Sequence, residues 1–342
     1  MAKTYKDTDT TAEQRKEDHI ALAFDSQVAE RNIDTRFYYE PLLAGHPTND
    51  ETCEVDFLQY KFKLPLWISS MTGGTERAAN INKNLARACG EYKLGMGLGS
   101  CRSLLLSNER LKDFDVKNLV GDQPLYANLG IAQIEQLYKA DKLPLIAEML
   151  KKLTADGLII HINPLQEWMQ PEGDRYFMNP IELIKIIIQE ITPHIIVKEV
   201  GQGMGPMSLL ELMMLPIDAV DFGASGGTNF ALLELLRDKD KTSLHESLVY
   251  VGHSADEMVD FVNYILEKQG DKIQCKNIII SGGVKTYLDG YYLINKIKTN
   301  AVYGQASSFL KYAMDDYETL QEYIEEQRKG LTLAKKLLKI KA

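Results

Sequence analysis

With 342 residues, the chain accommodates either two domains of about 150 residues or one α/β barrel of about 250 with extensions. Hydrophobic residues at 45% and charged residues at 25% exclude wholesale disorder and a collagen-like repeat. A net charge of −9 argues against gripping long nucleic acid by phosphate neutralisation, although a few cations in a cleft can still hold a small anion.

The first nineteen positions are polar and hold no signal-peptide core. No uncharged apolar run approaches the roughly 18 residues of a membrane span. Cys53, Cys89, Cys101 and Cys275 show neither a CxxC pair nor zinc-ligand spacing to a histidine, which fits reduced thiols in a cytoplasmic protein. In this charged N-terminal arm, residues 1–63, the run Arg15-Lys16-Glu17-Asp18-His19 reads by itself as a mixed-charge helix start.

Residues 64–313 repeat one kind of unit. A short aliphatic run ends in Gly, Ser, Asn or Thr, and a helical pattern follows. Eight such runs occur, at 64–71, 94–98, 124–127, 157–162, 195–200, 219–223, 277–280 and 301–303, recurring about every 34 residues. Runs such as LIIHI and NIIIS are apolar throughout, as parallel strands covered on both faces are. Between them, Ala78, Ile81, Leu85 and Ala88 keep helical spacing, and IELIKIIIQEI begins after Pro180 and stops before Pro193. Eight βα units without a ninth predict a closed (β/α)8 TIM barrel, with a doubly wound open sheet as the alternative. Residues 314–342 form a tail predicted helical over 317–340; its acidic start and basic end suit the helix dipole.

In a barrel of this kind the chemistry gathers at the C-terminal ends of the strands. Gly226-Gly227-Thr228, Gly282-Gly283 and Gly304-Gln305-Ala306 close the sixth, seventh and eighth runs, where small residues let backbone N–H groups approach a phosphate. Any one of these pairs reads equally well as a tight turn; three in succession favour phosphate. Lys198 stands in the apolar fifth run and needs either an anion or an escape to solvent. His161 and Asn163 share one face at the end of the fourth run, followed by Gln166 and Glu167. A carboxylate there can hold Mg2+ together with substrate phosphates, or be a solvated loop residue. Arg102, after Ser100 and Cys101, can fork onto a phosphate over the mouth.

The segments RKEDHI, MTGG, GLGSCR, ANLG, HINPLQE, QPEGDRYF, VKEVGQG, GASGGTNF and SGGVK run in order from Arg15 to about Ala306. Together they resemble type 2 isopentenyl-diphosphate isomerase, the flavin-dependent family that interconverts isopentenyl and dimethylallyl diphosphate. The resemblance implies FMN at the barrel mouth, with Met71, Thr72 and Gly73 against its ring and Ser100, Asn128 and Lys198 at its polar edge. Thr228, Gly282, Gly283, Ala306 and Ser307 would hold its phosphate end. It also implies a diphosphate substrate met by Arg15, Lys16, His19, Ser100 and Arg102, and Mg2+ on Glu167. His161, Asn163 and Gln166 would surround the reacting carbons. NADPH enters as the reductant of the flavin, and the arm is expected to fold over the mouth as a lid. Barrels of this kind often form homo-oligomers; no nucleic acid or membrane partner is implied.

Two departures from the family pattern are visible: Val284-Lys285 stands where Ile-Arg is common, and Phe230 where some members carry Trp. The competing reading, an FMN-dependent barrel oxidoreductase of a small hydroxy acid, calls for an arginine near the last strands. The sequence has none between Arg237 and Arg328. A silent phosphate-binding scaffold would not need His161, Asn163, Gln166 and Glu167 beside Lys198.

Overall fold

The computed structural model describes residues 11–48, 51–70, 74–237 and 246–341. Its centre is a closed barrel of eight parallel strands. In chain order these are Leu66–Ile68, Gly95–Gly97, Leu125–Gly130, Gly157–Ile162, Ile195–Glu199, Ala219–Asp221, Asn277–Ser281 and Asn300–Gln305. The last pairs back onto the first, Tyr303 opposite Leu66, so the sheet has no edge and the open-sheet alternative is excluded. The third strand extends to Gly130, which places Asn128 inside it.

Strand side chains alternate inward and outward, and the inward positions make two layers. The lower is apolar: Trp67, Tyr126, Ile159, Ile196, Ala219, Ile279 and Val302 form one buried cluster. Two residues further along each of those strands stand Ser69, Asn128, His161, Lys198, Asp221, Ser281 and Gly304. A period of two thus takes six of the eight strands from core to polar wall within one step. The second strand contributes glycine because Trp67 leaves it no room: a Cβ on Gly95 would sit 2.2 Å from the indole ring.

The arm does not behave as one unit. Strands Val55–Phe57 and Tyr60–Phe62 form a hairpin whose Phe57, Leu58 and Phe62 join the lower layer. Phe62 stacks on Trp67 at a centroid separation of 6.5 Å. This part of the arm therefore plugs the end of the barrel opposite the mouth, where a lid over the mouth was expected. The helix Ala12–Leu22 buries none of its residues.

The tail also differs from expectation. Its helix, Tyr317–Leu337, begins at an Asp316 cap and stops three residues early. Residues Leu338–Ile340 are instead a strand, antiparallel to Phe37–Tyr39. Pairing with a segment some three hundred residues away overrides the local helical pattern. Among the described residues no helix is long and apolar enough to cross a membrane. Cys89, Cys101 and Cys275 are buried thiols and Cys53 is half-buried.

Candidate active site

At the C-terminal ends of the strands lies a cavity of about 530 Å3, within the roughly 300–1,000 Å3 of small-molecule sites. Its wall is of two kinds. On one side stand Ser69, Ser70, Ser100, Asn128, His161, Gln166 and Lys198; on the other, backbone-rich turns carry Gly226, Gly227, Thr228, Gly282, Gly283, Ala306 and Ser307. Gly282, at φ +87°, makes the seventh turn possible, since a Cβ there would lie 2.0 Å from the Ala224 carbonyl oxygen.

Neighbouring strands place His161 opposite Lys198 and Lys198 opposite Asp221. Asn128 donates from Nδ2 to the Leu98 carbonyl at 3.1 Å, which turns its Oδ1 toward His161 Nδ1, 2.7 Å away. Because that oxygen only accepts, Nδ1 carries the proton and Nε2 keeps its lone pair. Burial, reinforced by the Lys198 ammonium, pushes the imidazole pKa down to about 4, so His161 is neutral near pH 7. Lys198 Nζ lies 3.6 Å from Asp221 Oδ2, and the other Asp221 oxygen accepts from the Ser281 hydroxyl. The lysine thus meets a fully buried carboxylate and has no need to escape to solvent. The Ser69 and Ser70 hydroxyls, buried in the wall, find no protein partner among the described residues.

The short helix Pro164–Met169 presents Gln166 to the cavity and turns Glu167 inward. Asn163 Nδ2 donates to Gln166 Oε1 at 3.1 Å and to Glu167 Oε1 at 3.2 Å. Glu167 Oε2 accepts the backbone N–H of Asp174 at 2.7 Å. Gln166 in turn aims Nε2 at Glu234 Oε1, 3.5 Å away.

The structure thus brings Ser100, Asn128, His161, Gln166, Lys198, Thr228, Gly282, Gly283, Ala306 and Ser307 to one cavity. Asn163 and Glu167 lie behind the wall, buried. Arg102 is turned aside onto Asp174, 2.7 Å from its Oδ2, instead of over the mouth. Arg15, Lys16 and His19 are exposed on the arm helix and do not line the cavity. Met71, Thr72 and Gly73 lie outside the described residues.

Four carboxylates escaped the sequence reading. Asp221 supports Lys198; Glu234 backs Gln166; Asp174 holds Arg102. Glu199, next to Lys198 in the fifth strand, accepts three backbone N–H groups, from Gly201, Gln202 and Gly203 at 2.6–2.9 Å, and so shapes the fifth turn. Asp221 alone carried a signal: a lone charge in AVDF, two residues beyond an inward alanine.

No protein-family model matches the chain. Isopentenyl-diphosphate delta-isomerase of Rickettsia felis is 32% identical over 316 residues, covering 91% of this chain and 88% of that protein. The protein of that name from a Nostoc species is 32% identical over 318 residues, covering 91% and 87%. Among solved structures, a flavocytochrome b2 variant with sulfite bound superposes with a TM-score of 0.59 at 15% identity, covering 88% of this chain and 72% of that one. The flavin-binding domain of baker's yeast flavocytochrome b2 gives 0.56 at 14% identity, with the same coverage. At such identities the two structures share the barrel fold alone. The sequence relatives go further, and the chain belongs to the isopentenyl-diphosphate delta-isomerase family.

Proposed function

We propose that this protein interconverts isopentenyl and dimethylallyl diphosphate by a 1,3-allylic proton shift, with FMN in the barrel-mouth cavity, NADPH as the reductant of that flavin, and Mg2+ on the diphosphate. The observation that carries the reading is the cavity itself, with polar side chains from the third to fifth strands facing glycine-rich turns of the sixth to eighth.

The wall fits FMN. The unpartnered Ser69 and Ser70 hydroxyls want polar atoms from a ligand, and Lys198 supplies a cation at the same level. Thr228, Gly282, Gly283, Ala306 and Ser307 offer small surfaces for the phosphate end. Met71, Thr72 and Gly73, which the resemblance sets against the ring, follow directly on Ser70 in sequence. When bound and reduced, the flavin supplies an electron-rich ring with exchangeable protons in a pocket where carboxylic acids are too weak to protonate an alkene.

The chain's own residues then bind and orient. His161 is neutral and presents an Nε2 lone pair, so it can accept a proton and not give one. Gln166, locked between Asn163 and Glu234, orients the reacting carbons and barely titrates. Asn128 holds the histidine tautomer, in addition to the flavin contact that the resemblance assigns to it.

Glu167 also fits its role. A carboxylate has about four acceptor sites and two are used here, which leaves room for a metal. Among the described residues no cluster of three His, Cys, Asp or Glu could hold an ion, so Mg2+ would depend on phosphate oxygens, its usual habit. Arg15, Lys16 and His19 would join the diphosphate once the arm moves. Exposed Ile20, Leu22 and Phe24 on and after its helix suit burial against a second copy in a homo-oligomer.

The test is the visible spectrum of FMN-reconstituted protein, bleached by NADPH under anaerobic conditions, followed by an assay for dimethylallyl diphosphate with Mg2+. A yellow protein that forms this product supports the reading. Failure to bind FMN, or reduced enzyme that leaves isopentenyl diphosphate unchanged, removes it.

A further inference from the structure

The motif QPEGDRYF has no part in the chemistry above, yet its Asp174 sits at a junction. Oδ2 accepts from Arg102 Nη1 at 2.7 Å and Gln133 Nε2 at 3.0 Å, and Oδ1 accepts from Gln136 Nε2 at 2.8 Å. Its backbone N–H donates to Glu167 Oε2 at 2.7 Å. One residue therefore touches both groups expected at the diphosphate, the arginine and the metal-binding carboxylate. We propose that Asp174 is the positioning residue of the diphosphate end, its carboxylate aiming Arg102 and its backbone N–H orienting Glu167. The inference rests on the functional reading just given.

An isolated surface ion pair between a half-exposed arginine and a carboxylate counts for little. Asp174 is different because three side chains converge on it. Gln133 and Gln136 both project from the helix Ile131–Lys139, so a rigid element holds the carboxylate in place. Burial opposes its charge, but the two amides and the guanidinium outweigh that and keep its carboxyl below the usual range. The loop is pinned as tightly on its other side. A Cβ on Gly173 would lie 2.0 Å from the Glu167 carbonyl oxygen, and Arg175 donates to that same oxygen while stacking over Trp168 at 4.9 Å. Asp174 takes one of the five N–H donors of Arg102, leaving others to fork onto a phosphate. A preset arginine loses less freedom when the phosphate arrives.

The experiment uses FMN-loaded protein and inorganic pyrophosphate with excess Mg2+, followed by calorimetry. Asp174→Asn keeps the side chain's size and removes its charge. It should weaken pyrophosphate binding about tenfold and leave FMN affinity unchanged, and the same loss should barely add to that of Arg102→Ala. In turnover, KM for isopentenyl diphosphate should rise while kcat holds. Asp174→Ala, which also frees the glutamines, should in addition raise the Mg2+ needed for half-saturation. Pyrophosphate binding equal to the parent's would overturn the proposal. So would a full-sized effect in the Arg102→Ala background, or loss of FMN alongside pyrophosphate, which marks a collapsed loop. If the parent protein itself ignores magnesium pyrophosphate, the fault lies with the functional reading.

Discussion

The lower and upper halves of the barrel interior lie two residues apart along the strands and do opposite work. Below, Trp67, Tyr126, Ile159 and their neighbours pack with the hairpin plug into a dry cluster. Above, Ser69, Asn128, His161, Lys198, Asp221 and Ser281 are almost as enclosed, but each carries a polar group that must be answered. Stability should therefore be concentrated in the lower layer and chemistry in the upper one.

The sharpest way to break that division is Trp67→Ala, which empties the lower layer and should cost about 3–5 kcal/mol in urea unfolding. FMN affinity of the folded fraction should survive; its loss would show that the layers are not separable.

His161 offers a second, pH-based test. Its native pKa, about 4, lies below the ordinary value of about 6.5, so the unfolded chain binds more protons between those limits. Its neutral-state contribution is complete above pH 6.5 and is lost as the pH falls toward 4, amounting to up to about 3 kcal/mol. Unfolding free energies across this window should show a slope that His161→Gln removes. An unchanged slope would assign the acid sensitivity to other groups.

Gln166→Leu touches only the upper wall. It should leave FMN and Mg2+ binding intact and depress turnover by about 10²-fold, comparable to removing one preorganised donor. Undiminished turnover would take Gln166 out of the mechanism. The mildest effect is expected from the arm: Arg15→Ala should raise KM by the equivalent of about 1.5–3 kcal/mol while the protein stays yellow. A colourless variant would tie the arm to the flavin instead.

What the sequence made legible follows the same division. Eight strands were readable because each opens on a short apolar run and gives way to a Gly-, Ser-, Asn- or Thr-bearing turn at the cavity end. Helix Pro180–Glu190 was readable from its flanking prolines. Features that depend on distant partners were not. The hairpin at 55–62 looks like charged arm until Trp67 supplies the ring it stacks on. The turn of Leu338–Ile340 from helix to strand needs Phe37–Tyr39. Asp174 and Glu234 are unremarkable acidic residues until folding sets them against Arg102 and Gln166. Arg102 was expected over a phosphate, but the partner it has in the structure, 72 positions away, was not foreseen.

The seam between Phe37–Tyr39 and Leu338–Ile340, together with the pairing of the eighth strand to the first, has a consequence for biosynthesis. Translation delivers Phe37–Tyr39 and the first barrel strand long before their partners, so the nascent chain carries both with an unsatisfied edge until Leu338–Ile340 and the eighth strand are made. A ribosome stalled just short of residue 300 therefore holds a polypeptide with the cavity-lining groups of the first seven units and no closed wall on which to arrange them.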